Sequence, residues 1–171
     1  KPDLAEAYNS LGSLLAELKQ SVKSVNAFQR AISLKPNYAE ALYNLGQAFQ
    51  DQGNFTEAIE AYNKSLTIKP DYAEAHNNKG IALQEQGKLK EAMEAYNKSL
   101  AIKPDYADAH QNMGFALLAV KDFDHGFKKS EWRWKTGSRV NHFLKSSKPL
   151  WNGEKGQRVL VWNEQGIGDE I

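Results

Sequence analysis

Apolar residues recur every three or four positions through most of the chain, which is the spacing of one face of an α-helix. One such stretch carries Leu42, Leu45, Ala48 and Phe49. Another carries Ala58, Ile59, Tyr62, Leu66 and Ile68. A different pattern closes the chain, because the residues from Val159 to Trp162 are all apolar. The pattern therefore predicts helices over most of the chain and a single buried strand, from Arg158 to Trp162, near its end.

The helical pattern repeats with a period of 34 residues. Prolines keep this spacing, at Pro2, Pro36, Pro70 and Pro104. Glycines keep it as well, at Gly12, Gly46, Gly80 and Gly114. Aromatic residues follow in the same register, at Phe28, Tyr62 and Tyr96. Because several residue types share one register, the chain is predicted to be an array of repeats, each packing on its neighbours.

Each unit is predicted to consist of two antiparallel helices. Asn37, Asp71 and Asp105 follow the prolines and are predicted to cap the first helix of their units. Gly53 and Gly87 are predicted to end that helix, in the left-handed conformation common at helix C-termini. A glycine inside a helix costs about 1 kcal/mol relative to alanine. We therefore expect the second helix to cross close to the backbone at the mid-helix glycines.

These units resemble the tetratricopeptide repeat. In the second unit the resemblance is carried by Leu45, Gly46, Phe49, Ala58, Tyr62, Ser65 and Pro70. The third unit repeats it as Lys79, Gly80, Leu83, Ala92, Tyr96, Ser99 and Pro104, with Lys79 in place of the usual leucine. The resemblance implies an all-α fold. It would be a right-handed superhelical array of antiparallel helix pairs, whose first helices line a concave groove.

The resemblance also sets the domain boundaries. Residues 1–136 are predicted to form the repeat array, and residues 137–171 a linker followed by the first strand and glycine loop of a truncated α/β domain. The predicted repeats cover about 3–36, 37–70, 71–104 and 105–136.

The two ends of the array depart from a complete repeat. The last unit is degenerate, since it has Gly126, Ser130, Arg133 and Ser138 where the pattern has an alanine, an aromatic residue, a small residue and a proline. At the other end, the opening Lys-Pro-Asp reads as the end of a further repeat. The chain is therefore expected to be a fragment of a longer array.

Composition bears on the kind of site the chain can carry. Without cysteine, disulfides and thiolate metal sites are excluded. A net charge of +1 gives no general attraction to nucleic acid. No apolar run approaches the ~18 residues needed to span a bilayer, and no signal peptide is recognised, so a cytoplasmic location is expected. His76 and His110 lie one repeat apart without carboxylates beside them. They are predicted to pack between helices rather than bind a metal, and no cofactor is predicted.

The candidate binding surface is the concave groove. Asn44, Asn78 and Asn112 recur at one-repeat spacing, and an amide that both donates and accepts can bind the backbone of an extended peptide. The arrangement resembles the asparagine ladder of O-GlcNAc transferases. The residues favour equally the alternative that these amides only form hydrogen bonds within the groove. The other candidate groove residues are Asn9, Tyr43, Gln47, Asn77 and Gln111.

The segment from Lys128 to Lys148 is basic, with seven Lys or Arg and one acid. Within it, Trp132 and Trp134 flank Arg133. Three interpretations compete: binding of single-stranded nucleic acid by charge and stacking, attachment to a membrane surface, and a closing helix with its tryptophans packed inward. Tryptophans two positions apart on a helix do not share one exposed face. Inward packing is therefore favoured, no membrane partner is predicted, and a nucleic-acid partner is not expected.

The C-terminal strings EWRW, PLWNGE and VLVWNEQGIGDEI resemble a junction found in bacterial proteins. Those proteins join tetratricopeptide repeats to a glycosyltransferase-like domain related to the heptosyltransferases. The resemblance implies that Gly166 and Gly168 form a glycine loop and that Asp169 acts in the parent protein as a base on an acceptor hydroxyl. The rest of such a domain is absent, so no catalytic residue is assigned in this fragment and it is not expected to be an enzyme.

Three functions are compatible with these patterns. The favoured one is a scaffold that binds an extended peptide or a partner protein in the groove. The second is the acceptor-recognition arm of a larger glycosyltransferase, inactive as this fragment. The third is self-association, through an open end of the array or as a homodimer through the C-terminal strand, whose unpaired edges need cover. A clamp for a terminal carboxylate is not expected, because Lys79 is the one cation of the groove region and is predicted to point to solvent.

Overall fold

A computed structural model describes residues 4–130 and residue 132, together with the backbone of residues 160–163 and 166–170. The helices of the first range are α1 (Leu4–Glu17), α2 (Ser21–Leu34), α3 (Ala39–Asp51), α4 (Phe55–Ile68), α5 (Ala73–Glu85), α6 (Leu89–Ile102), α7 (Ala107–Ala119) and α8 (Phe123–Ser130). The strands of the last two ranges are β1 (Leu160–Asn163) and β2 (Gly166–Glu170). The chain divides into two compact units, residues 1–137 and 138–171.

The helices of the first unit form four antiparallel pairs, each made of two successive helices. The second helix of each pair also contacts the first helix of the next pair. The first helices α1, α3, α5 and α7 contact one another in succession, whereas within the described residues α2, α4 and α6 do not. The first helices therefore line the inner face of the array. The predicted all-α array of helix pairs is confirmed.

In three of the pairs, an aromatic ring on the second helix lies against a glycine of the first helix. The contacts are Gly12 with Phe28, Gly46 with Tyr62, and Gly80 with Tyr96. A Cβ added to any of these glycines would lie 2.5 Å from a ring carbon. The expected close crossing at the mid-helix glycines is confirmed, and its cause is the buried ring rather than contact between the two backbones.

The fourth pair lacks this ring. A Cβ added to Gly114 would lie 2.6 Å from Oγ of Ser130 and 2.8 Å from its backbone nitrogen. It would also lie 3.0 Å from the carbonyl oxygen of Gly126. Because serine replaces the aromatic residue, α7 and α8 approach each other backbone to backbone.

The turns inside the four pairs share one conformation but not one residue type. Gly53 and Gly87 have φ of 76° and 75°, which confirms their predicted left-handed position at the end of α3 and α5. The same position in the first and last pairs is held by Lys19, with φ of 56°, and Lys121, with φ of 66°. A side chain in this conformation costs roughly 1–2 kcal/mol relative to the right-handed region. The two outer turns are therefore strained and the two inner turns are not.

The prediction that Asn37, Asp71 and Asp105 cap the first helices is wrong. The N-cap positions are Tyr38, Tyr72 and Tyr106, none of which makes a side-chain capping hydrogen bond. Asp71 belongs instead to a tight turn. The backbone N–H of Tyr72 donates to the carbonyl of Lys69, three residues earlier, so Pro70 and Asp71 occupy the two central positions of that turn.

The second unit contains an antiparallel pair of strands, with Asn163 of β1 opposite Gly166 of β2. β1 overlaps the predicted strand, but the prediction of a glycine loop is wrong, because Gly166 and Gly168 lie within β2. Two residues separate the strands, a connection length typical of a β-hairpin. One edge of β1 pairs with β2, and the homodimer through this strand stays a prediction. Asp169 also lies within β2.

Substituting a glycine that contacts an aromatic ring tests the close crossing of the two helices. We expect Gly46→Ala to lower the free energy of unfolding by about 1–3 kcal/mol, because the new methyl group overpacks the contact with Tyr62. Helix propensity alone would give the opposite sign, a gain of about 1 kcal/mol. Urea denaturation distinguishes the two. Asn63→Ala, at an exposed position of α4, is the control, and a stabilised Gly46→Ala variant would contradict the packing account.

Substitution of the residue at positive φ should change stability in opposite directions in the outer and the inner turns. We expect Gly53→Ala to destabilise the chain by about 1 kcal/mol, because alanine is strained at positive φ. Lys121→Gly relieves that strain and is expected to stabilise it by about 0.5 kcal/mol, after the larger entropy of glycine in the unfolded chain is deducted. Thermal unfolding of the two variants beside the parent chain measures both. Shifts of the same sign would rule out strain as the difference between the turns.

Candidate functional site

Asparagine side chains connect the first helices of successive pairs. Nδ2 of Asn44 on α3 donates to Oδ1 of Asn9 on α1 at 3.0 Å, and Nδ2 of Asn112 on α7 donates to Oδ1 of Asn77 on α5 at 3.0 Å. Both bonds join residues 35 positions apart, one position more than the repeat. The ladder is therefore a structural contact between neighbouring repeats.

The middle step of the ladder uses a tyrosine in place of an asparagine. Nδ2 of Asn78 donates to the hydroxyl of Tyr43 at 3.1 Å. The Tyr43 ring lies 4.8 Å from that of Tyr72 and 6.0 Å from that of Tyr62. Burial, followed by the charge of Glu74, raises the pKa of Tyr43 above its usual value of 10.0, against the lowering effect of the Asn78 hydrogen bond. Tyr43 therefore stays protonated and its hydroxyl keeps a proton to donate.

The structure divides the predicted groove residues into two groups. Asn9 and Asn77 are only 6% and 2% exposed, so they act as buried acceptors and offer little surface to a ligand. The half-buried residues that retain surface on the inner face are Tyr43, Asn44, Gln47, Asn78, Gln111 and Asn112. The alternative of hydrogen bonds within the groove thus holds for one N–H of each ladder amide, and also for Oδ1 of Asn78, which accepts from Nδ2 of Asn77 at 3.3 Å. The remaining polar atoms of Asn44 and Asn112 make no bond to the described residues.

A cavity of about 340 Å³ opens on the inner face, between α1, α3 and α5. Its lining residues are Ser13, Ala16, Glu17, Phe28, Asn44, Gln47, Ala48, Gln50, Asp51 and Asn78. The ladder residues Asn44 and Asn78 and the predicted Gln47 are thus brought together. Sequence reasoning missed Glu17, although its register with Asp51 and Glu85 on the next first helices was a signal that could have found it.

The first helices carry an excess of negative charge. Their acids are Glu6, Glu17, Glu40, Asp51, Glu74, Glu85 and Asp108. Their one base is Lys79, which is half-buried at the position held by the buried residues Leu45 and Met113, so its orientation to solvent stays a prediction. Burial, together with the charge of Lys98, lowers the pKa of Lys79. Glu74 pairs with Lys103, which follows α6, at 3.7 Å, whereas Glu17 and Asp51 line the cavity, whose lining contains no Lys or Arg.

The two histidines bond to backbone carbonyls. Nε2 of His76 lies 3.0 Å from the carbonyl oxygen of Pro70, and Nε2 of His110 lies 2.8 Å from that of Pro104. Burial lowers the pKa of His76 and the Pro70 carbonyl opposes that shift. The described residues contain no group of three or more His, Asp or Glu side chains that could hold a metal ion.

Trp132 is part of the closing contacts of the array. Its ring stacks on that of His110, with centroids 3.9 Å apart and planes 17° from parallel. This is the inward packing expected for the tryptophans, whereas Arg133, Trp134 and the rest of the basic segment to Lys148 lie outside the described residues. None of the described helices is long and apolar enough to cross a membrane.

The ladder can be measured through its buried member. We expect Asn77→Ala to lower the free energy of unfolding by about 1–2 kcal/mol, because it removes the acceptor of Asn112 and leaves a cavity at a buried site. A double-mutant cycle with Asn112→Ala isolates the pair and should give a coupling of about 0.5–1 kcal/mol. The matched control is Asn97→Ala, at an exposed position of α6. Additive effects of the two substitutions would show that the bond does not stabilise the array.

Family models match the middle of the array. A tetratricopeptide-repeat model matches residues 38–105, and a second model, also described as a TPR repeat, matches residues 22–53. Neither match reaches the C-terminal strings that resemble a glycosyltransferase-like domain, so that resemblance stays a prediction. A comparison with curated proteins gives no match.

Solved structures share the fold. The crystal structure of MamA is 25% identical over 79% of each chain, with a TM-score of 0.72. The TPR domain of Sgt2 from Aspergillus fumigatus is 20% identical over 71% of this chain and 82% of that chain, with a TM-score of 0.68. The first TPR of Spaghetti (RPAP3), bound to the HSP90 peptide SRMEEVD, is 17% identical over 71% of this chain and 96% of that chain, with a TM-score of 0.69.

Proposed function

We propose that this chain, whose helix pairs are tetratricopeptide repeats, is a protein-interaction scaffold that binds an extended peptide along its inner face. The observation that carries the proposal is the cavity of about 340 Å³, which is lined by side-chain amides from α3 and α5. An amide offers a donor and an acceptor to the backbone of a peptide, whatever the peptide's sequence. The inner face is thus suited to main-chain recognition.

The spacing of the ladder fits an extended backbone. Packed helices lie about 8–10 Å apart, and an extended chain rises roughly 3.3 Å per residue, so each repeat spans about three peptide residues. Asn44, Asn78 and Asn112 would then meet every third residue of a bound peptide. Gln47 and Gln50, which line the same cavity as Asn44, supply further donors and acceptors between two ladder positions.

The charges of the inner face favour a cationic ligand. The Spaghetti structure holds the acidic peptide SRMEEVD. In this chain the cavity is lined by Glu17 and Asp51 and by no Lys or Arg, so an acidic peptide would meet like charges. A Lys or Arg side chain of the ligand would instead be attracted to both carboxylates. We therefore infer that the partner segment is extended and basic.

Peptide titration with fluorescence anisotropy tests the proposal. A labelled peptide of alternating Lys and Ser should bind, and the matched peptide with Glu in place of Lys should not. We expect Gln47→Ala to weaken binding roughly fivefold, since a hydrogen bond contributes about 1 kcal/mol. Asn97→Ala, exposed on α6 and away from the cavity, should bind like the parent chain.

Two variants test the preference for a basic peptide separately from peptide binding itself. In Glu17→Gln and Asp51→Asn the side chains keep their size and lose their charge, so they should weaken binding of the Lys peptide more at low salt than at high salt. Equal affinity for the Lys and Glu peptides would contradict the preference for a basic ligand. Failure of every extended peptide to bind, in a folded chain, would contradict peptide binding itself.

The acceptor-recognition arm of a glycosyltransferase remains an expectation from the C-terminal resemblance. The side chains that carry it, including that of Asp169, lie outside the described residues, so no observation on the array favours it. The cytoplasmic location and a homodimer through the C-terminal strand rest on sequence alone in the same way.

A further inference from the structure

One hydrogen bond recurs in the second and third pairs and joins the buried ring to the first helix. The hydroxyl of Tyr62 donates to Oε1 of Gln50 at 3.1 Å, and the hydroxyl of Tyr96 donates to Oε1 of Gln84 at 3.2 Å. Each tyrosine is the ring that contacts the mid-helix glycine of its pair. A glutamine side chain therefore lies against the hydroxyl end of the ring in both pairs.

The first pair has other residues at these two positions. Ala16 replaces the glutamine and Phe28 replaces the tyrosine, so neither the amide nor the hydroxyl of the bond is present. Both residues line the cavity of about 340 Å³ on the inner face. Space that a glutamine and a tyrosine hydroxyl take up in the next two pairs thus stays open in the first.

The least exposed residues around this cavity are apolar. Phe28 and Ala48 are 2% and 3% exposed, and Ala16 is half-buried. The amides of Asn44 and Gln47, which also line the cavity, are more exposed than Phe28 and Ala48. An aliphatic chain that enters the cavity would therefore displace water from an apolar bottom, which is favourable.

Two carboxylates lie at the mouth of the cavity. Glu17 and Asp51 line it and are exposed. Each is the last residue of its helix, where the helix dipole adds partial negative charge. Neither forms an ion pair with another residue in the part of the chain that the structure describes, and the lining contains no Lys or Arg. The mouth of the cavity therefore attracts a cation.

An apolar bottom and a negative mouth suit one kind of side chain. Lysine has an aliphatic stem that packs on apolar surface and a charged end that stays near water. Its ammonium is compact and has three donors, so carboxylates on two different helices can both accept from it. A leucine would fill the bottom and leave the carboxylates unpaired, whereas a short cation would leave water on the apolar bottom.

We propose that the cavity is a specificity pocket for one lysine side chain of the bound peptide. The stem packs on Ala16, Phe28 and Ala48. The ammonium lies between the carboxylates of Glu17 and Asp51. A lysine pocket rests on the proposed function, peptide binding along the inner face, and adds to it the residue of the peptide that is recognised. Because the second and third pairs carry the glutamine–tyrosine bond at the equivalent place, the pocket fixes the register of the peptide on the array.

NMR spectra of the chain with ¹³C-labelled alanine methyl groups show whether the pocket is filled. Titration with the peptide of alternating Lys and Ser should shift the methyl signals of Ala16 and Ala48, whereas that of Ala101, exposed on α6, should stay in place. Binding in the anisotropy experiment without shifts at Ala16 and Ala48 would overturn the pocket and leave peptide binding standing. Absence of binding in both experiments would overturn the two together.

Two changes of the ligand separate the stem of the lysine from its charge. The parent ligand is a peptide of Ser and Gly with one central lysine, followed by the same methyl signals. Norleucine in place of this lysine keeps the stem and removes the charge, and diaminopropionate keeps the charge on a much shorter stem. Each replacement should weaken binding at least roughly tenfold, because stem and charge both contribute to the affinity. Undiminished binding of either variant peptide would overturn the pocket, since the stem alone or the charge alone would then suffice.

The double variant Ala16→Gln with Phe28→Tyr closes the pocket without removing a charge. It introduces the residues that form the hydrogen bond in the second and third pairs, so the chain should keep its helices and its melting temperature. Binding of the one-lysine peptide should weaken at least roughly tenfold, since the stem loses its apolar bottom. The control Ala101→Gln adds the same side chain at an exposed position of α6 and should bind like the parent chain.

Circular dichroism checks the fold of the double variant. A folded double variant that binds the one-lysine peptide as tightly as the parent chain would overturn the pocket. Should the two substitutions together unfold the chain, Ala16→Gln alone fills the same space beside an unchanged Phe28 and is expected to weaken binding to the same extent. Full affinity in that single variant would overturn the pocket as well.

Discussion

The contact between an aromatic ring and a glycine determines how the two helices of a pair cross. The glycine leaves room on the first helix for the ring of the second, and the contact recurs in three of the four pairs. Because this crossing is repeated with little change, the first helices fall into a continuous row. That row is the inner face on which the candidate site lies. The site therefore depends on the contacts between glycines and aromatic rings, although Phe28 is the one residue of these contacts that lines the cavity.

The hydrogen bonds of the asparagine ladder join neighbouring repeats whether or not a ligand is bound. Each Nδ2 that bonds to the preceding first helix fixes the plane of its amide. In Asn44 and Asn112 the oxygen and the second N–H then point in a defined direction, whereas Oδ1 of Asn78 accepts from Nδ2 of Asn77. Groups held in advance lose little entropy when a ligand binds. Structural and binding roles of the same amide are therefore compatible, and removal of a ladder member is expected to affect both stability and recognition.

The repeat array could be predicted from the sequence because its signals are periodic. Gly53 and Gly87 mark helix ends through local backbone chemistry, and Gly46 implies a close neighbour because glycine is unfavourable inside a helix. Burial of Asn9 and Asn77 could not be predicted, since it depends on the 35-residue offset between helices rather than on the 34-residue repeat. Asp71 looked like a cap because a turn and a cap favour the same residue types. The second strand was missed because its glycines suggested a loop.

The positive φ of Lys19 and Lys121 bears on how the array comes apart. Strain lies in the turns of the first and last of the four described pairs. Strain of roughly 1–2 kcal/mol in a turn lowers the free energy needed to open its helix pair, so these two pairs open more often than the two between them. Amide hydrogens of α3 to α6 therefore exchange with solvent last. The cavity is lined in part by α1, which belongs to a pair that opens often. Its other lining helices α3 and α5 belong to pairs that open less often.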